Sequence, residues 1–140
     1  MKKHLIFFSI LSTLVFVSCS TQNVTNKFPY GNYSYQSFNI VGEVVGEGSL
    51  YISKVDSNFI EGNWSIRNIK NCVVCGPQYG SGYFTGRIDN DSIYVNLNPD
   101  NPENYVELIG EIKDESFSGD WRWFELVLNS NRGNFKAVRQ

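Results

Sequence analysis

Large apolar residues recur at every second position along most of the chain. "FIEGNWSI", Phe59 to Ile66, sets Ile60, Trp64 and Ile66 on one parity and Glu61, Asn63 and Ser65 on the other. That is the period of a half-buried β-strand. Eight segments read this way: Gly31 to Ile40, Val45 to Val55, Phe59 to Ile66, Gly82 to Ile88, Ser92 to Asn98, Tyr105 to Ile112, Ser116 to Phe124 and Gly133 to Arg139. Between them stand "DSN", "DND", "NPDNPEN", "KDE" and "NSNR", rich in residues that favour turns, and a longer connection that holds two cysteines. A short run, "FELVLNS" from Phe124 to Ser130, is the one candidate for a helical turn. Short links between neighbours predict antiparallel hairpins in an up-and-down meander.

Alternation also assigns the faces. One side gathers Leu50, Ile52, Ile60, Trp64, Phe84, Ile93, Val95, Val106, Leu108, Phe117, Trp121, Trp123, Phe135 and Ala137. The other is polar. A sheet with one dry face and no helix to cover it closes on itself or stacks into two layers. Closure removes the exposed edges, and it accounts for Gly62, Gly86, Gly110 and Gly119, which all fall on the dry parity. Inward positions without a Cβ let strands coil sharply. The expected fold is all-β, an eight-stranded antiparallel barrel, with a β-sandwich as the alternative.

Ahead of the strands, Lys2 and Lys3 precede an apolar run from Leu5 to Val17. The run suits an export signal and falls short of the ~20 apolar residues of a spanning helix. It ends in "FVSCS", which resembles the lipobox of bacterial lipoproteins, with cleavage before Cys19 and acylation of that cysteine. The resemblance implies a signal peptide over 1–18; the polar, non-periodic stretch that follows reads as a lipid-attached tether over 19–28, and the strand pattern as a barrel domain over 29–140. The resemblance also implies a membrane partner through the lipid anchor. Ser20 in place of an aspartate points to the outer membrane, on its periplasmic face. Taking Lys2 and Lys3 from the 12 basic residues leaves 10 against 14 acidic ones, a net charge of −4. No basic patch appears, so nucleic acid is not an expected partner.

With Cys19 assigned to lipid, Cys72 and Cys75 remain. In an exported protein a disulfide between them, clamping a loop, is the expectation. The spacing also suits redox chemistry or half a zinc site, but "NCVVCGPQYGSG" shows no helical period, and the one histidine, His4, lies in the leader.

"GNYSY" near the start, the repeated glycine-bearing strands, "GDWRWFEL" and the closing "GNFKAVR" resemble the calycin superfamily, the lipocalin-like and avidin-like barrels. "GNY" puts Tyr33 where lipocalins carry a tryptophan, and no avidin ligand set matches residue by residue. The resemblance implies a ligand in the barrel mouth. Tyr33, Tyr35, Trp64, Trp121 and Trp123 are the candidate lining for a small apolar or sugar-like ligand. The competing reading is that these rings fill the core, since an eight-stranded barrel is just wide enough to be filled by side chains.

Catalytic material is sparse. Without a histidine after the leader the usual Ser-His and Cys-His pairs are missing. Glu43 and Glu47 read as a solvated turn, and Asp100 and Glu103 in "NPDNPEN" fall short of a calcium set. No cofactor or metal is expected. The functional expectation is a non-enzymatic envelope lipoprotein that binds a small ligand or serves as an accessory barrel. The alternatives are a protein-protein module, such as a protease inhibitor acting through its loops, and, last, a hydrolase.

Overall fold

The computed structural model describes residues 30–70, 72, 75–125 and 131–140. The leader, Cys19 and the whole of the 19–28 tether lie outside the described residues. Eight strands follow in order: β1 (Gly31–Phe38), β2 (Val44–Asp56), β3 (Phe59–Asn68), β4 (Gly80–Asp89), β5 (Ser92–Asn96), β6 (Asn104–Lys113), β7 (Ser116–Glu125) and β8 (Asn131–Arg139). Phe124 and Glu125 finish β7 as strand, which corrects the helical expectation there; residues 126–130 lie outside the described set.

Each strand pairs antiparallel with the next, and β1 pairs with β8, so the sheet is a closed barrel. The pairing runs from Tyr33↔Arg139 to Phe38↔Asn134. The sandwich alternative is thereby excluded. Two irregularities bend β2: the register shifts between Ser37 and Phe38 on its β1 side and between Ile52 and Lys54 on its β3 side. An extra residue in one strand increases local twist.

The two ends of the barrel differ. At one end β2–β3, β4–β5 and β6–β7 join through two-residue turns whose first residues, Ser57, Asn90 and Asp114, have φ between 53° and 56°. Short polar side chains tolerate this left-handed region. At the other end the connections are longer, spanning 39–43, 69–79 and 97–103. We call this loop-bearing end the mouth.

Alternation places the core inside. Leu50, Ile52, Ile60, Phe84, Ile93, Val95, Leu97, Val106, Leu108 and Phe117 are buried, together with the aromatic candidates discussed below. Burying each such side chain contributes about 1.5–3 kcal/mol. An aromatic chain runs through the interior: Tyr33 to Phe117 at 5.2 Å, Phe117 to Phe135 at 6.0 Å and Phe135 to Tyr35 at 6.0 Å between ring centres. Gly62 and Gly86 are buried and Gly110 and Gly119 half-buried, all on the parity of the core. At Gly62 the reason is plain. A Cβ there would run into the Tyr51 carbonyl oxygen and stand 2.6 Å from the Phe84 ring.

Candidate functional site

Described residues of the connection between β3 and β4 lie over the mouth. Asn68, the last residue of β3, accepts backbone N–H groups from Lys70 and Cys72 on its Oδ1, at 3.1 and 3.3 Å, and so turns the chain back over the barrel. This is the usual service of an asparagine at a turn. Cys72 and Cys75 form a disulfide, and the Cys75 N–H donates to the Cys72 carbonyl at 3.3 Å. Cys75 is fully buried against the core. Gly76 follows with φ +66°, and a Cβ on it would collide with the Trp123 ring. Only glycine allows the loop to lie so close on that indole.

Two residues further, Gln78 points into the barrel and is 0% exposed. Its Nε2 donates to the Cys75 carbonyl at 2.8 Å, which fixes the orientation of the amide, and its Oε1 accepts from the Tyr35 hydroxyl at 3.3 Å. Tyr79 packs beside it against the core. Beneath the loop, Ser37 continues the inward parity of Tyr33 and Tyr35 on β1. A Cβ at neighbouring Gly46 would stand 2.6 Å from Ser37 Oγ and 3.7 Å from the Tyr79 ring, so these groups share one space.

That space is polar and underbonded. Among the described residues, Ser37 Oγ and the Tyr79 hydroxyl are buried without a hydrogen-bond partner, and so is Asn98 Oδ1 in the 97–103 loop at the same end. Leaving a buried polar group unpaired costs about 1–3 kcal/mol. Burial holds the Tyr35 hydroxyl far above the ordinary phenol range, with the Ser37 hydroxyl pulling it back and Tyr79 adding to the rise. Ser37 Oγ is close enough to be felt there, yet makes no bond of good length and angle. Burial also pushes Tyr79 up to about 12. Both phenols are therefore neutral donors at physiological pH.

The five sequence candidates divide along the barrel axis. Tyr35, Trp64 and Trp121 are buried in the half toward the mouth, and Trp123 is half-buried at its rim. Each indole N–H is engaged: Trp64 Nε1 donates to the Leu97 carbonyl at 2.6 Å, Trp121 Nε1 to the Phe38 carbonyl at 2.8 Å and Trp123 Nε1 to Asn104 Oδ1 at 2.7 Å. Tyr33 belongs to the other end, tilted at 59° to Phe117; burial raises its pKa, with Arg139 pulling it back and Glu115 adding to the rise. Sequence reasoning missed Ser37, Gln78 and Tyr79. The parity of β1 could have found Ser37. Nothing periodic marks the other two.

The remaining chemistry lies outside the barrel. Glu43 binds Lys70 at 2.8 Å and Glu47 binds Arg67 at 3.0 Å, both on the surface. The hydrogen bonds from Lys70 and then Asn39 lower the Glu43 pKa, the opposite of what a general acid needs. Among the described residues no three His, Cys, Asp or Glu side chains converge as a metal set. A shallow outer cleft of about 210 Å³ runs along Gly82, Tyr83 and Leu97 to Asn101.

Neither a scan against protein-family models nor a search of curated proteins gives a match. Among solved structures, the chain is similar to bradavidin2 in its complex with biotin. The TM-score is 0.58 at 16% identity, over 80% of this chain and 98% of that one. At this identity the likeness is one of fold, and the protein has an avidin-like, calycin-type eight-stranded barrel.

Proposed function

We propose that the chain is a non-enzymatic envelope lipoprotein, anchored through Cys19 and facing the periplasm from the outer membrane, whose barrel mouth holds a small ligand. One observation carries the ligand reading. Ser37 Oγ and the Tyr79 hydroxyl stand buried and unpartnered near Tyr35, with Cys75 and Gln78 buried above them. A molecule with an apolar or ring-shaped body and a hydrogen-bonding head would satisfy these groups. Because aromatic and aliphatic side chains fill the interior below, the ligand belongs between Tyr35, Trp64 and residues 75–79. Bradavidin2 binds biotin on the same fold, which makes biotin the first probe.

The test is native mass spectrometry of the protein purified from its own envelope, followed by calorimetric titration with biotin and with any mass that is retained. A retained molecule or a saturable titration is expected, weakened about tenfold by Ser37→Val through loss of one hydrogen bond. A protein that carries nothing and titrates with nothing would remove the reading. A protein partner is the second reading, favoured by Ile40 and Val41, which stand 76% and 74% exposed on the β1–β2 loop at the mouth. Capture of a single partner, lost on Ile40→Ser with Val41→Ser, would support it.

A further inference from the structure

The mouth already holds a hydrogen-bonding head, and it belongs to the chain itself. Glutamine is among the residues that are mostly exposed, yet Gln78 is fully buried with its carboxamide at the Tyr35 hydroxyl. Its two bonds are unequal. The shorter one, 2.8 Å to the Cys75 carbonyl, stays within the loop, and only the longer one, 3.3 Å to Tyr35, ties the loop to the barrel wall. Close beside that bond Ser37 Oγ and the Tyr79 hydroxyl have no partner. The carboxamide therefore occupies the site without satisfying it.

We propose, resting on the small-ligand reading above, that Gln78 is a tethered internal occupant of the mouth. The ligand that displaces it carries a carbonyl-type oxygen, of an amide or carboxyl group, to replace Gln78 Oε1 on the Tyr35 hydroxyl. A tethered group competes at high effective concentration, so the apparent affinity for any ligand is reduced by the fraction of time the side chain is in place. The Cys72–Cys75 disulfide supports this arrangement by holding the loop short just ahead of Gln78. Gln78 thereby sets a threshold. A ligand that reaches Ser37 and Tyr79 as well as Tyr35 gains bonds that the glutamine cannot make.

The test uses propionamide, which carries the same head as the glutamine side chain. In Gln78→Ala the vacated space takes up propionamide, read as a saturable change in tryptophan fluorescence and a rise in Tm. The apparent affinity is expected to be about tenfold or more above that of the wild-type protein. Gln78→Leu, which refills the space with hydrocarbon, gives no response. An equal response from wild type and Gln78→Ala, or none from either, overturns the proposal. Should Gln78→Ala fail to fold by circular dichroism, Tyr35→Phe takes its place: faster deuterium exchange at residues 75–79 supports the tie to the wall, and unchanged exchange overturns it. Native mass spectrometry on the same samples separates the two readings. Rescue by propionamide with no retained or titrating natural molecule upholds the internal occupant and sinks the ligand reading. A retained ligand that binds wild type and Gln78→Ala alike does the reverse.

Discussion

Tyr35 and Tyr79 keep their protons under the loop because an exposed phenolate is hydrated and a buried one is not. Their pKa values are raised in the folded state, Tyr79 to about 12 and Tyr35 further. The unfolded chain loses these protons near the ordinary tyrosine value of 10.0. Folded protein thus binds more protons than unfolded protein above that pH, and stability falls as pH rises. The part of the stability that these two tyrosines supply should be level below about pH 10, decline from there to about 12, where folded Tyr79 ionises as well, and go on declining on account of Tyr35. Urea unfolding against pH, read beside tyrosinate absorbance, checks this. Tyr79→Phe should flatten the first part of the decline, and an unchanged profile would place the titrating groups elsewhere, for instance at Tyr94, raised by burial and by its bond to Glu107 on the outer wall. Residues of this kind were partly legible. Tyr35 and Ser37 stand in a strand whose period reveals which way they point. Gln78 and Tyr79 follow a glycine and a proline in a loop, and their inward direction depends on contacts with Trp123 and Cys75 that no local pattern encodes.

Strands were the readable elements, because a period of two assigns both the conformation and the face. Every expected segment appears, with ends moved by a few residues: β1 stops at Phe38 and β5 at Asn96, two residues short of the expected ends, and elsewhere pairing continues past the apolar pattern. β3 runs on to Asn68, and β2 reaches back to Val44. The register shifts in β2 were not legible, since they answer to closure of the whole sheet and leave its apolar spacing almost unchanged. Glycine positions were legible as corners for the same reason that they are irreplaceable. Gly62→Ala should lower stability by about 3 kcal/mol, at the upper end of the cost of overpacking. The added methyl meets the Tyr51 carbonyl of the adjoining strand, which cannot move aside, as well as the Phe84 ring. Thermal or urea unfolding measures the loss, and a change below about 1 kcal/mol would mean that the sheet relaxes at that corner.

Across the whole molecule the start of β1 and the mouth fall at opposite ends. β1 begins at the end with the tight turns, and the 39–43 and 97–103 connections and the described part of the 69–79 one stand at the opposite end. If Cys19 carries lipid, the ten residues from 20 to 29 reach at most about 35 Å, and the mouth is presented outward from the membrane. Cys19→Ser should move the protein from the membrane fraction to the soluble one and abolish palmitate incorporation; a wild-type protein that is already soluble and unlabelled would refute the anchor. The pairing of β1 with β8 has a mechanical consequence. It brings the first strand's start beside the last strand's finish, with the Gln140 N–H on the Asn32 carbonyl and Tyr33 across from Arg139. Tension applied between residues 31 and 140 would pull those bonds open one rung at a time, peeling the cylinder from its turned rim, so the chain resists force far less well along this line than its sealed wall suggests.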